Sequence, residues 1–421
     1  MAECRVCGAA DWQEVVSFGL MPLANAYLDA GASHRDEPHY PLDVISCRSC
    51  RLLSLTYVVD PAMLYRNYLY VTSDSETMTT HMRYIAAFCC EQFSLQPGDL
   101  VIEVGSNTGD QLRAFRASGL RVLGIDPASN LAAIANDGGV ETLPEFFSSE
   151  TAADVADVYG HARMILARHV FAHIDDLADV VAAVRGLLST DGVFAIEVPY
   201  AVDLLREVAF DTIYHEHLSY FFLSTFVTLF ERHGMRVLDV QRFPVHGGSI
   251  LVSVGLAESR QPTRSSVREL LALEERSSFR EDAIYEHFAD RVSCVRDELS
   301  CLVRGVAAEG SRIAGYGAPA KGNTILNVCG LGRDEIAFCS DTTKLKQGKL
   351  LPGTYIPVVS PEEACTRRPD YYLLLAWNYA REIIRKESAF LANGGRFIVP
   401  IPRPATVSAD SEPGLWATSS R

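Results

Sequence analysis

The run Tyr214-His215-Glu216-His217-Leu218-Ser219-Tyr220 is dense in side chains that move protons. Histidine titrates nearest neutral pH, so a histidine among tyrosines and a carboxylate points to general-base chemistry. His-x-His spacing also invites a metal, because alternate residues of a strand face one way. Two histidines alone lack the third ligand of a catalytic zinc site. The run reads as a base cluster, with a satisfied polar core as the plainer alternative.

A metal belongs instead at the N-terminus. Cys4-x2-Cys7 and Cys47-x2-Cys50 form two knuckles. Each lets two thiolates approach one ion from a tight turn, and two knuckles complete a tetrahedral zinc shell. Four thiolates leave no open position, so the expected Zn2+ is structural.

A different chemistry is written at Glu103-Val104-Gly105-Ser106-Asn107-Thr108-Gly109, where a first strand turns into a helix. Glycines there let backbone approach a ligand at the carboxyl end of a sheet. The loop departs from the G-x-G-x-x-G dinucleotide fingerprint. It is closer to the E/D-x-G-x-x-x-G loop of enzymes that bind S-adenosylmethionine. Asp126, ending the next strand beside Pro127, offers two acceptors for ribose hydroxyls. His169 and Val170 follow the third strand, where adenine contacts gather.

A second glycine-rich turn, Gly315 to Thr324, carries Lys321 and Asn323. Backbone N–H groups plus a cation suit a phosphate. Asp341, Trp377 and Asn378 lie at later strand ends of the same unit, and the set fits a nucleoside-diphosphate pocket. His246 and Ser249, in Val245-His246-Gly247-Gly248-Ser249, are placed to close over a substrate, or form an ordinary turn. Tyr65, Tyr68 and Tyr70 sit in an aromatic, hydroxyl-rich stretch.

The elements that position these groups follow from hydrophobic patterning. Leu100–Val104, Arg121–Asp126, Met164–Ala167 and Gly192–Glu197 are short apolar runs of the buried parallel-strand type, separated by helical stretches. That rhythm predicts a doubly wound sheet. After a charged helical segment over 258–304, a second alternation begins at Arg312–Gly317 and predicts a smaller Rossmann-like unit. A net charge of −15 argues against a nucleic-acid partner and against docking on anionic lipid. No apolar window reaches the roughly 18 residues of a membrane span. The eleven cysteines are scattered rather than framed for disulfides, so a cytoplasmic location is expected.

These motifs, in this order, resemble the sugar C-methyltransferases that act on nucleotide-linked deoxysugars in antibiotic pathways. The likeness rests on the two cysteine knuckles, Pro22-Leu23-Ala24-Asn25, the Glu103 to Gly109 loop, Tyr214-His215-Glu216-His217, His246-Gly247-Gly248-Ser249, Gly315 to Asn323, and Ala376-Trp377-Asn378-Tyr379. It implies an α/β chain in three parts: a zinc-binding lobe (1–72), a class I methyltransferase Rossmann-like domain (73–256) and a Rossmann-like domain for the nucleotide sugar (257–421). It implies S-adenosylmethionine as donor and a dTDP-linked 4-keto-deoxysugar as acceptor. His217 matches the family's base; Tyr214, Glu216 and Tyr68 match residues beside it. A monomer or weak homodimer is expected. The rivals are an NAD-dependent sugar-nucleotide oxidoreductase, a non-catalytic zinc and nucleotide module, and methyl transfer to oxygen or nitrogen.

Overall fold

The computed structural model describes residues 3–31, 36–66, 68, 71, 75–277, 279 and 281–411, and Tyr70 lies outside them. Three sheets carry the architecture. The central one has seven strands in the order Met235–Phe243, Ser249–Leu256, Leu188–Pro199, Ala162–Arg168, Leu100–Val104, Arg121–Ile125 and Thr142–Leu143. Its five strands from Leu188–Pro199 onward run parallel, whereas Ser249–Leu256 enters antiparallel. This is the class I methyltransferase arrangement. Every residue of Leu100–Val104 is buried, as a strand covered by helices on both faces requires.

The chain leaves that strand at Gly105, whose φ of +68° favours glycine and whose N–H donates to the Ile125 carbonyl at 2.8 Å. A Cβ there would stand 2.7 Å from the Val170 side chain. The backbone can therefore turn tightly over the sheet edge.

The C-terminal sheet runs Val358–Val359, Ile336–Ser340, Ile313–Tyr316, Tyr371–Leu374, Arg396–Val399 and Ala405–Val407, with all but the last pair parallel. Between the two large sheets lie helices Ser265–Arg276 and Ala283–Ala308, the expected charged segment.

The N-terminal sheet holds Trp12–Pro22, His39–Cys47 and Leu53–Leu55, all antiparallel. Its fourth strand is Ser219–Tyr220, two residues beyond His217, which pairs with Leu53 and Ser54. The proton-active run is thus part of the zinc lobe's sheet. Behind it, Phe221 stacks on Phe226 at 4.5 Å and Phe171 packs on both, giving the segment a rigid apolar floor. A further two-stranded pairing, Leu28–Asp29 with Lys349–Leu350, joins the lobe to the C-terminal unit.

Candidate active site and metal centre

One cavity of about 1450 Å³ opens where the three parts meet. One side carries Glu103, Gly105, Ser106, Asn107, Asp126, Pro127, His169 and Val170; Lys321, Asp341 and Asn378 line the other side; Tyr68, Tyr214 and His217 lie between. Thr108 and Gly109 do not line it. The Thr108 hydroxyl donates to Asp110 at 2.5 Å, and Gly109, with φ of +78°, starts the following helix.

His217 is held from both sides of its ring. Nδ1 is 2.7 Å from the Thr212 carbonyl and Nε2 is 2.8 Å from the Tyr214 hydroxyl. A carbonyl only accepts, so Nδ1 carries the proton and the Nε2 lone pair accepts from the Tyr214 hydroxyl. Burial holds the His217 imidazole well below its ordinary pKa, with His173 and the Lys321 cation adding to the effect. The ring is therefore neutral near pH 7, the state a base needs.

Glu216 stands one layer behind the wall. Its Oε1 accepts from Asn25 Nδ2 at 2.7 Å, and its Oε2 accepts from the Tyr68 hydroxyl. Burial pushes this carboxyl up to about 7, against the pull of Tyr68, Asn25 and Lys346. Among the tyrosines left open by the sequence, Tyr68 bonds the Glu216 carboxylate while Tyr65 bonds the Glu216 carbonyl at 3.3 Å. The second histidine of the pair, His215, turns away to the Tyr40 carbonyl of the zinc lobe at 3.2 Å.

Several expected substrate contacts stand behind the wall. Ser249 donates to the Val245 carbonyl at 3.1 Å and closes its own turn. Asn323 reaches the Ala24 carbonyl at 3.4 Å, tying its helix to the N-terminal lobe. The Trp377 indole N–H donates to Asp211 at 2.6 Å. His246 lies in the short turn Val245–Gly247, and its side chain is outside the described structure. The wall also contains Asn25, Arg168 and His173, which lie within motifs the sequence marks, and Phe146 and Phe147, which sequence spacing did not single out. Phe146 and Phe147 lie three and four residues beyond the Thr142–Leu143 strand, so a search of the loop after that two-residue strand would have found them.

Two groups that the structure does not carry can be tested against these residues. All four sulfurs of Cys4, Cys7, Cys47 and Cys50 lie within 4.8 Å of one another, with Cys4 to Cys50 and Cys7 to Cys47 each at 3.5 Å. Tetrahedral zinc with bonds of about 2.3 Å spaces its sulfurs about 3.8 Å apart, so the set fits. On the first side of the cavity, Glu103 Oε2 and Ser106 Oγ are buried without a partner among the described residues. Asp126 accepts from the N–H groups of Asn107 (2.7 Å) and Ala128 (2.9 Å), which fixes its carboxylate at the wall with lone pairs remaining. Unpaired acceptors beside phenylalanine faces suit the ammonium, hydroxyls and adenine of S-adenosylmethionine.

Comparison with known proteins agrees with this reading. Family models match in series: "Putative zinc binding domain" over 4–65, "Methyltransferase domain" over 78–240, and "C-methyltransferase C-terminal domain" over 244–402. The C-methyltransferase NovU of Streptomyces niveus is 53% identical over 97% of this chain and 97% of its own. Looser likenesses cover less than half of the chain. Magnesium protoporphyrin IX methyltransferase of Synechocystis PCC 6803 aligns at 11% identity over 42% of this chain and 82% of its own, with a TM-score of 0.33. A Burkholderia thailandensis 1,6-didemethyltoxoflavin-N1-methyltransferase aligns at 22% over 44% and 80%, with a TM-score of 0.32. Those two bear on nothing further. The relative matched from end to end does: the chain belongs to the zinc-binding, S-adenosylmethionine-dependent C-methyltransferases.

Proposed function

We propose that the enzyme methylates a carbon next to the 4-keto group of a dTDP-linked deoxysugar, as a step in antibiotic sugar biosynthesis. The observation that carries this reading is the tautomer of His217, whose Nδ1–H is fixed on Thr212 and whose Nε2 accepts from the Tyr214 hydroxyl, both rings lining the cavity. A ketone acidifies the neighbouring C–H, and removing that proton needs a neutral base in a site closed to water. S-adenosylmethionine supplies an electrophilic methyl group on the donor side. His217 takes the α-proton at Nε2, displacing the Tyr214 hydroxyl from that nitrogen. The freed hydroxyl then donates to the enolate oxygen as charge develops, while the Tyr68 hydroxyl stays on Glu216 and its ring lines the cavity. Glu216 and Asn25 hold Tyr68 in place.

On the acceptor side, Lys321 offers a cation to the diphosphate, and Asn378 and the Asp341 loop line its approach. Among the described residues no helix is long and apolar enough to cross a membrane, in keeping with work in the cytoplasm.

The test is mass spectrometry of dTDP-4-keto-6-deoxysugars incubated with S-adenosylmethionine in D2O. Wild type should add one methyl, placed by NMR beside the ketone, and His217→Asn should lose both that gain and α-proton exchange. Methyl gain on oxygen or nitrogen, or undiminished exchange in the variant, would overturn the reading.

A further inference from the structure

Asp211 is fully buried in the short turn Phe210–Thr212, one residue before the carbonyl that fixes His217. Its Oδ2 accepts the Trp377 indole N–H at 2.6 Å, and its Oδ1 has no partner among the described residues. Trp377 follows the Tyr371–Leu374 strand of the C-terminal sheet and precedes Asn378, which lines the cavity. Lys321, on the helix Ala320–Cys329 of the same unit, attracts the Asp211 carboxylate. From that helix, Thr324 also donates to the Ile213 carbonyl at 3.4 Å. The Thr212 carbonyl is therefore bracketed by two contacts from the acceptor-binding unit. It receives the His217 Nδ1–H at 2.7 Å and the Tyr220 hydroxyl at 3.3 Å.

We propose that Asp211 is a positioning residue: through Trp377 it ties the turn that orients the His217 base to the unit that holds the acceptor. The inference rests on the reading of His217 as the base. Its physical content is geometric. If the turn slides, the Thr212 carbonyl moves, and the imidazole pivots about Nδ1 away from the α-carbon. A buried carboxylate with one oxygen unpaired is a poor packing element, because hydrogen-bonding capacity is left unused out of water. As a strut between two units, a charged acceptor is stronger than a neutral one. Trp377 and Asn378 being neighbours, an acceptor that settles on Asn378 loads the strut directly.

The experiment uses the zinc-loaded enzyme, S-adenosylmethionine and a dTDP-4-keto-6-deoxysugar in D2O. Asp211→Asn, Trp377→Phe, their double variant and His217→Asn are compared. Trp377→Phe keeps most of the ring's bulk and removes only the donor, so it decides the matter if Asp211→Asn fails to fold. The expected result is a drop in kcat of about tenfold to a hundredfold for exchange and for methyl transfer in each single variant, the scale of a small misplacement of reacting groups. The donor's KM and the zinc content should stay unchanged, which a general loss of structure would not allow. The double variant should lose no more than the worse single one. Wild-type kcat in Trp377→Phe, or losses that multiply in the double variant, would sink the strut while leaving the base reading intact. Undiminished exchange in His217→Asn would remove the base reading and the strut together.

Discussion

The central and C-terminal units, to which the proposal gives donor and acceptor, solve one backbone problem in the same way. In each, a glycine with positive φ leaves the first strand, Gly105 at +68° and Gly317 at +82°. Each glycine N–H donates at 2.8 Å to the next strand, to Ile125 in one unit and Ser340 in the other. An aspartate ending that second strand then accepts two backbone N–H groups, one from the glycine loop and one two residues on. Asp126 takes Asn107 and Ala128 at 2.7 and 2.9 Å; Asp341 takes Ala318 and Thr343 at 2.7 and 2.8 Å. What differs is the charge set beside the device. Asp126 shares its wall with Glu103 and Asp110, whereas Asp341 has Lys346 Nζ at 3.7 Å and shares its wall with Lys321 and Lys344. The scaffold is generic, and the side chains around it make one side of the shared cavity acidic and the other basic, as the proposed sulfonium donor and anionic acceptor require.

The largest expected effect strikes both units through the element they share. Stripping zinc with a chelator should unfold the knuckles and release Leu53–Leu55 from Ser219–Tyr220, abolishing methyl transfer. Donor binding, measured by calorimetry, should survive in part, because no zinc-lobe strand enters the seven-stranded sheet. Full activity after metal loss would show that the lobe does not hold the base. A smaller effect separates the units. Losing the charge-assisted bonds of Asp126 in Asp126→Ala should weaken S-adenosylmethionine about tenfold to a hundredfold and spare the nucleotide, and Asp341→Ala should do the reverse. Equal losses for both ligands in either variant would erase the distinction.

The smallest effect is one of stability. Burial, opposed by Arg168, pushes the Glu103 carboxyl from 4.5 up to about 8. A folded-state pKa above the unfolded one means that stability is full below pH 4.5 and declines as pH rises through about 8. Full ionisation costs at most about 5 kcal/mol. Without donor, Glu103→Gln should remove that decline, so its melting temperature should overtake wild type toward pH 9. Parallel pH profiles for the two proteins would show that Glu103 is ionised in the fold.

Much of this was legible in the sequence for definite reasons. Leu100–Val104 announces itself because a strand covered on both faces must be apolar throughout. The cysteine knuckles announce themselves because few other roles need that spacing. The site was harder. A motif places a residue at a strand end but does not say which way its side chain turns, and so Asn323 and Trp377, expected at the substrate, brace other elements instead. Ser219–Tyr220 is too short to show any periodicity, and its pairing with Leu53 and Ser54 comes from tertiary structure alone. Asp211 gave no signal, since an isolated aspartate in an apolar neighbourhood reads as a turn.

That fourth strand of the zinc lobe has a consequence for how the chain comes off the ribosome. The lobe is synthesised first, yet Leu53–Leu55 must wait with an open edge until the strands around the donor site have emerged and brought Ser219–Tyr220 back to it. An exposed edge is a template for pairing with the wrong chain. A chimera that swaps the first seventy residues between relatives, but leaves 219–220 behind, would inherit that open edge as an aggregation hazard. The natural unit of exchange is discontinuous: the cysteine lobe together with the two residues that finish its sheet.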